Sequence, residues 1–133
     1  MKKFVFVSLA FLCSTLSALP VISGPIILEG RYDCTGTEID TETVFQCDET
    51  ITKTGETYAF TAACNDGTSY VGTGIYQPAN RDLSIVFRNV DKIEEIGVSV
   101  KHVSVKTGEL LGKWTNLNKT AVGHTWCIKR ENG

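Results

Sequence analysis

The sequence predicts an all-β protein, an antiparallel meander of about eight strands closed into a small barrel and stapled by disulfides. Short β-prone runs alternate with turn residues at a spacing of about 8 to 12 residues, which is typical of sandwiches and barrels. The connections are too short for the crossovers that parallel strands require. Closure removes both exposed edges, and about eight strands enclose a space that side chains or one small ligand can fill.

A charged and then apolar leader precedes the strands. Lys2 and Lys3 are followed by an apolar run over residues 4–12, which is shorter than the roughly 20 residues of a membrane span. We therefore expect residues 1–23 to be a signal peptide, cleaved after Ser23 or after Ala18. Residues 24–133 then form a single domain that is secreted or periplasmic and has no membrane span.

The charge balance argues against a polyanionic partner. The chain has 13 lysines and arginines, two of them in the leader, against 15 carboxylates, so the mature part carries a net charge of about −4. Bulk charge of this sign attracts neither nucleic acid nor an anionic membrane. We therefore expect the partner to be a small ligand or a protein.

Eight strands follow from the positions of the turn residues. The strands are predicted near residues 28–34, 43–53, 57–64, 69–77, 83–88, 96–105, 109–115 and 123–130. The segments that separate them are rich in residues that favour turns, at Gly36, Thr54-Gly55, Asp66-Gly67, Asn80 to Asp82, Asn89 to Lys92, Thr107-Gly108 and Asn116 to Lys119. No internal repeat and no linker interrupt this pattern after Gly24.

Cysteine usage fits an exported domain. Cys13 leaves with the leader, and four cysteines remain, at Cys34, Cys47, Cys64 and Cys127. An even number of cysteines in an exported chain predicts two disulfides. Their spacing does not provide the close ligand pairs of a structural zinc site, so we expect no metal.

Alternation brings one cysteine pair together. Cys47 lies on the apolar face of the second predicted strand, and Cys64 lies on the apolar face of the third. A hairpin that turns at residues 55–56 pairs Thr54 with Thr57, and the same register places Cys47 opposite Cys64. This geometry predicts the Cys47–Cys64 disulfide.

The second disulfide follows by elimination. Cys34 would pair with Cys127 and join the first and last strands, as closure of a barrel requires. Cys127 alternates against its neighbour Trp126, so this pairing needs either a bulge or an outward-facing Trp126. The alternative, Cys34 with Cys47 and Cys64 with Cys127, remains open.

Two further strands carry irregular patterns. In the sixth strand Ile96, Val98 and Val100 share one face while Val103 and Val105 lie on the other, which predicts a bulge near residues 101–102.

In the fourth strand two glycines create a gap in the side-chain layer. Gly72 and Gly74 share a face with Tyr70 and Tyr76. Either a bulky neighbour such as Trp114 packs into the gap or a ligand does.

No constellation in the mature chain specifies a chemistry. His102 and His124 lack the HxH or HExxH spacing of metal or base sites, and no G-x-S-x-G elbow surrounds a serine. Carboxylates cluster at Glu38, Asp40 and Glu42, at Asp48 and Glu49, and at Glu94 and Glu95, and we interpret them as solvated charges that keep the domain soluble. The sequence predicts no catalytic residue, no cofactor and no enzyme activity.

Several segments resemble a known pattern. The segments Leu28 to Tyr32, Gly72 to Tyr76, Gly97-Val98 and Thr107 to Thr115 resemble small, exported, largely uncharacterised bacterial β-barrel domains. Gly112-Lys113-Trp114-Thr115-Asn116 is also similar to the G-x-W strand of calycins, avidins in particular, in which the tryptophan and asparagine help to form the barrel and its biotin pocket. This motif is on the first strand in those families and on the seventh here.

The resemblance implies a barrel and candidate pocket residues. Trp114 and Asn116 come from the motif, and Tyr70 and Tyr76 flank the glycine gap. Biotin binding is not carried over, because an avidin pocket needs more tryptophans than the two in this chain.

These observations lead to two expectations about function, and an enzyme becomes a third candidate if a structure brings two carboxylates, or His124 and an acid, together in a cleft. The first is a non-enzymatic exported β-barrel that binds either a small apolar ligand inside or a protein through its surface. The alternative is a secreted inhibitor of a host or competitor hydrolase, similar to the disulfide-bearing β-barrel proteins with which bacteria block host lysozymes. The acidic segment 37–42 would be its inhibitory loop.

Overall fold

A computed structural model describes residues 25–131, so the predicted signal peptide lies outside the described part of the chain. The strands are β1 (Gly30–Thr37), β2 (Val44–Thr54), β3 (Thr57–Cys64), β4 (Ser69–Gln77), β5 (Asp82–Asn89), β6 (Ile96–Val103), β7 (Leu110–Asn116) and β8 (Gly123–Lys129). Each strand pairs antiparallel with the next, and β8 pairs with β1 to close the barrel. The predicted meander is confirmed. Within the described range no helix is long and apolar enough to cross a membrane.

The four cysteines form one row across four neighbouring strands. Cys34 on β1 lies opposite Cys47 on β2 and opposite Cys127 on β8, while Cys47 lies opposite Cys64 on β3. The disulfides are Cys34–Cys127 and Cys47–Cys64, as predicted. The alternative pairing is wrong because β3 and β8 are not adjacent strands.

The β2–β3 hairpin sets the register of that row. Thr54 pairs with Thr57, and Gly55 at the turn has φ 67°, which is a left-handed conformation that glycine adopts without a Cβ clash. The register continues unbroken from this turn to the Cys47–Cys64 pair.

One half of the barrel interior is filled by apolar side chains. This closed half lies at the end where β1 begins, and its buried residues are Leu28, Tyr32, Ile51, Leu83, Val103 and Leu110. The Tyr32 hydroxyl donates a hydrogen bond to the Leu28 carbonyl at 2.7 Å, which ties the segment before β1 to the core. Burial raises the pKa of Tyr32 to about 12.

Packing fills the predicted glycine gap on β4, but not through Trp114. A Cβ added at Gly72 would overlap the backbone oxygen of Val86 and press against Ile85 and Phe60, and one added at Gly74 would meet Leu83 and Ile85. Trp114 lies instead on the wall of the other half of the barrel. The two glycines therefore make room for aliphatic and aromatic side chains of β3 and β5.

The predicted bulge in β6 is wrong. The strand pairs with β5 without interruption from His102 to Ile96, so its faces never exchange. Ser99 and Lys101 face the interior, whereas Val98 is 53 % exposed on the outer surface. The hydrophobic pattern gave the wrong face because the interior positions of β6 hold the polar residues Ser99 and Lys101. The valines of the other face therefore lie on the outer surface.

Of the two predicted arrangements of β8, a bulge or an outward-facing Trp126, the structure has the second. Cys127 is fully buried, and Trp126 points outward with 47 % exposure. The β1–β8 register contains no bulge. An outward Trp126 was one of the two predicted solutions, and its indole Nε1 donates a hydrogen bond to Glu109 at 3.0 Å.

Candidate functional site

The second half of the barrel encloses a cavity of about 100 Å³. This open half lies at the end that carries the β1–β2, β3–β4, β5–β6 and β7–β8 connections. The cavity extends from the interior of the barrel to exposed residues of these connections, such as Asp66. It is therefore the place where a molecule from solvent can enter the barrel.

Two edge-to-face aromatic pairs line the cavity. The ring of Phe45 packs against that of Trp114 with centroids 5.9 Å apart, and the ring of Tyr70 packs against that of Phe87 at 5.6 Å. Such pairs are favourable arrangements of the ring quadrupoles. They hold four rings in fixed positions around a space that they do not fill.

Glycines in the neighbouring strands allow these rings to lie close to the wall. A Cβ would overlap the ring at three interior positions, which are Gly36 under Phe45, Gly97 under Phe87 and Gly123 under Trp114. With any larger residue there, the ring would have to move from its observed position, with the cavity as the adjoining space. The glycines thus contribute to the shape of the site.

Three buried polar atoms around the cavity lack a hydrogen bond. They are Trp114 Nε1, Asn116 Oδ1 and Thr125 Oγ1, and none has a partner in the part of the chain that the structure describes. Leaving a buried donor or acceptor unpaired costs about 1–3 kcal/mol. Two further buried atoms without a partner in the described residues, Asp48 Oδ1 and Arg81 Nε, lie outside the cavity lining, so a bound molecule is one physical reason for such an atom among others.

A buried ion pair also lines the cavity, where the open half meets the closed half. Lys101 Nζ lies 2.9 Å from Glu49 Oε2, and the two side chains are 1 % and 6 % exposed. Lys101 Nζ also lies 3.6 Å from Cys127 Sγ and 5.9 Å from the ring centroid of Phe60. A charge buried to this extent is tolerated because its partner is within hydrogen-bonding distance.

This pair corrects the interpretation of the acidic clusters. The prediction that the carboxylates are solvated is wrong for Glu49, because Glu49 alternates with Cys47 and Ile51 and so shares their interior face. The donor atoms of Glu49, Cys34 and Cys127 lie close together. The two sulfurs are joined in a disulfide, so they offer no thiolate to a metal ion.

Three carboxylates line the mouth of the cavity, on Glu38, Asp66 and Glu95. Asp66 accepts hydrogen bonds from the Thr68 hydroxyl at 2.6 Å and from the Thr68 amide at 2.9 Å, and these bonds lower its pKa. Glu95 Oε2 accepts a hydrogen bond from Asn89 Nδ2 at 3.3 Å. Two of the three mouth carboxylates are thus held in place by neighbouring residues.

The third mouth carboxylate is repelled by its neighbours. Burial raises the pKa of Glu38, and the charges of Asp66, Glu95 and Asp40 raise it further. Lys119 Nζ lies 3.5 Å from Asp40 on the exposed side of the mouth. The mouth therefore holds an excess of negative charge around Glu38.

The structure brings together three of the four predicted pocket residues. Tyr70, Trp114 and Asn116 line the cavity, whereas Tyr76 lies outside its lining and packs edge-to-face against Tyr58 at 6.5 Å.

The predicted set omitted the Lys101–Glu49 pair, Thr125 and the acidic mouth. For Glu49 the signal was present, since strand alternation places it on the face of Cys47 and Ile51. The two histidines lie outside this group. His102 Nδ1 is 2.8 Å from Asp82 Oδ1, and His124 is exposed.

No family model, no curated protein and no solved structure matches this chain. The segment that resembles the avidin G-x-W strand lies on β7, where it places Trp114 and Asn116 on the cavity wall. Its first residue, Gly112, is buried at a position where a Cβ would overlap the Thr125 hydroxyl. In this barrel the motif therefore contributes to the wall of the open half.

Proposed function

We propose that this protein is an exported, non-enzymatic barrel that binds a small ligand, or one protruding chemical group, in the cavity of its open half. The observation that carries the proposal is the set of three unpaired polar atoms on Trp114, Asn116 and Thr125. All three side chains line the same cavity. Protein atoms cover the three polar atoms, so a ligand with hydrogen-bonding groups would pair with them as the side chains turn toward it, and that pairing would offset part of the free energy that their burial costs.

The size of the cavity limits what it can hold. At about 100 Å³ it is smaller than the roughly 300–1,000 Å³ of pockets that enclose drug-sized ligands. The cavity therefore suits a group of the size of an amino-acid side chain. A larger ligand would leave most of its surface outside the mouth.

The buried ion pair suits a binding wall better than a catalyst, and the carboxylates that converge at the mouth are the feature that an enzyme would use. An acid or base catalyst must exchange its proton with a reacting group. Glu49 is instead engaged by Lys101 at 2.9 Å, and both side chains are almost fully buried. We interpret the pair as a rigid, neutral part of the binding wall.

Intact mass spectrometry under native and denaturing conditions tests the proposal on protein purified mildly from its own cells. Ser99 lines the cavity, and Ser99→Leu places a larger side chain there, whereas Ser84→Leu makes the same change on the exposed side of β5. We expect an extra mass, released by unfolding, on the wild type and on Ser84→Leu but not on Ser99→Leu. A bare chain in all three samples would contradict the proposal.

The inhibitor function is a second candidate, favoured by the geometry of the acidic loop. The amide of Glu38 donates a hydrogen bond to the Thr43 carbonyl at 2.9 Å, which closes the loop at its base. Glu42 within it has φ 54°, and Asp40 and Glu42 are exposed. Nanomolar inhibition of a cationic hydrolase in a lysozyme panel would support this candidate, and no effect across the panel would remove it.

A further inference from the structure

We infer that the group bound in the cavity is an organic cation, an alkylammonium or a guanidinium. The inference rests on the proposed function, since it names the chemistry of the ligand for the same cavity. Three independent features of the site carry it, namely the charge of the mouth, the aromatic wall and the unpaired acceptor of Asn116.

The first feature is the charge around the cavity. Glu38, Asp66 and Glu95 line the mouth, and the lysine that lines the cavity, Lys101, is already neutralised by Glu49. A ligand in the cavity therefore meets an excess of carboxylates. Coulomb interactions favour a cation there and disfavour an anion, and low-dielectric walls strengthen both effects.

The second feature is the aromatic wall. Phe45, Trp114, Tyr70 and Phe87 surround the cavity, and the faces of aromatic rings attract ammonium and guanidinium groups. The protein already makes one such contact of its own, with Lys101 Nζ 5.9 Å from the centroid of Phe60. The wall thus suits a partly desolvated organic cation better than a hydrated metal ion.

The third feature is a hydrogen-bond acceptor without a donor. Asn116 Oδ1 is buried and unpaired among the described residues, and an ammonium or guanidinium N–H can donate to it. The Thr125 hydroxyl oxygen, also unpaired, can accept a second bond. An ionised carboxylate has no proton to donate to the Asn116 oxygen, whereas the third unpaired group, the Trp114 N–H, is a donor that an organic cation leaves unpaired.

The volume fits such a group but leaves its source open. One ammonium or guanidinium on a short alkyl chain is comparable to a lysine or arginine side chain, and the cavity of about 100 Å³ holds a group of that size. The cation can belong to a free small amine or to a side chain that protrudes from a protein. The experiment below separates these sources.

The test uses the full mature chain with Trp126→Phe, which leaves Trp114 as its one tryptophan because the sequence has two. The probes are butylammonium, butylguanidinium, pentanoate and pentanol, which share similar alkyl chains. The readouts are Trp114 fluorescence and the indole N–H resonance. We expect saturable shifts with the two cations and at least tenfold weaker binding of pentanoate and pentanol.

A matched pair of variants tests the mouth. Glu38→Gln removes a carboxylate that lines the cavity, whereas Glu42→Gln removes one from the same loop that does not. We expect Glu38→Gln to weaken cation binding about five- to tenfold and Glu42→Gln to leave it within about twofold. Because Glu38 is destabilised by its acidic neighbours, its substitution should not lower the midpoint of thermal unfolding.

Acidification provides a second readout of the same groups. Burial and the charges of Asp66, Glu95 and Asp40 raise the pKa of Glu38, so Glu38 is protonated at a higher pH than an ordinary glutamate. The nearby partners are used by other carboxylates, because Lys119 pairs with Asp40 and Asn89 bonds to Glu95. Neither Lys119 nor Asn89 bonds to Glu38. Cation affinity should fall as the pH drops through the pKa of Glu38, and the fall should be smaller in Glu38→Gln.

The outcomes separate the inference from the proposed function. If pentanoate or pentanol binds as tightly as the cations, the cation inference is overturned while binding in the cavity stands. If no probe shifts Trp114 while the extra native mass is present on the wild type and absent from Ser99→Leu, the inference is again overturned alone. Loss of that mass difference as well would overturn both.

Competition identifies the source of the cation. A lysine- or arginine-rich protein that binds far more tightly than butylammonium, and is displaced by it, indicates a protein side chain. If basic proteins do not compete and the free amines bind, the ligand is a small amine. Both results support the organic cation as the bound group.

Discussion

The two halves of the barrel interior are built from the same strands but differ in what fills them. In the closed half the side chains of Tyr32, Leu83 and Leu110 are at most 1 % exposed, and the Tyr32 hydroxyl has its partner. In the open half aromatic rings lie over glycines around a cavity, and three polar atoms have no partner among residues 25–131. One half therefore stabilises the fold, while the other leaves space and unpaired groups that the proposed binding would use.

The boundary between the halves carries the charged and covalent links. The disulfide row crosses β3, β2, β1 and β8, and the Lys101–Glu49 pair lies beside Cys127. Cys34–Cys127 joins residues 93 positions apart, so it constrains a larger loop of the unfolded chain than Cys47–Cys64 does. We interpret this level as the support that holds the cavity wall against the closed half.

The largest expected effect comes from breaking the ion pair at this boundary. Lys101→Met leaves Glu49 buried and uncompensated, and we expect the free energy of unfolding to fall by about 3–5 kcal/mol. Urea denaturation followed by circular dichroism measures the change.

The double variant Lys101→Met with Glu49→Leu provides the control. It removes both charges, so we expect it to recover most of the lost free energy. A single variant as stable as the wild type would show that the pair is not buried as described. A double variant no more stable than the single one would assign the loss to packing.

A smaller loss of stability is expected at alkaline pH, because the closed half buries the Tyr32 hydroxyl. Tyrosine in an unfolded chain ionises near pH 10, whereas burial holds Tyr32 protonated up to about pH 12. Between these values the unfolded state binds fewer protons, so stability falls as the pH rises. The contribution of Tyr32 is complete below pH 10, and we expect a loss of ~2–3 kcal/mol as the pH approaches 12.

The variant Tyr32→Phe isolates this contribution. It should cost about 1 kcal/mol at neutral pH, because the hydrogen bond to Leu28 is lost, and its stability should fall less steeply above pH 10. Denaturant midpoints measured between about pH 8 and pH 11 give both slopes. Equal slopes for Tyr32→Phe and the wild type would contradict the assignment.

The fold was predictable because its signals are local. Turn residues and alternation predict eight strands in order, and the Thr54–Thr57 turn predicts the register that pairs Cys47 with Cys64. The prediction for β6 was wrong because its interior positions hold Ser99 and Lys101, so the rule that apolar residues face inward gives the wrong face. Hydrophobic alternation fails where polar side chains occupy the interior positions of a strand, as they do along β6.

The candidate site was only partly predictable. Trp114 and Asn116 came from a motif, and Tyr70 from its place beside the β4 glycines. The acidic mouth depends on how three loops distant in sequence converge, which no local pattern encodes. The interior position of Glu49 could have been predicted, because strand alternation places it on the same face as Cys47 and Ile51.

The central claim is that unpaired polar groups in the open half lower the free energy of unfolding because they serve the proposed binding. A matched pair of asparagines tests this claim most directly. Asn116 carries an unpaired buried oxygen at the cavity, whereas Asn89 is 3 % exposed and bonds to Glu95, Asp91 and Lys92 through its side chain. The measurement is the free energy of unfolding of Asn116→Leu and Asn89→Leu in urea, without ligand. We expect Asn116→Leu to gain about 1 kcal/mol and Asn89→Leu to lose about 2–4 kcal/mol. A loss in Asn116→Leu as large as that in Asn89→Leu would contradict the claim.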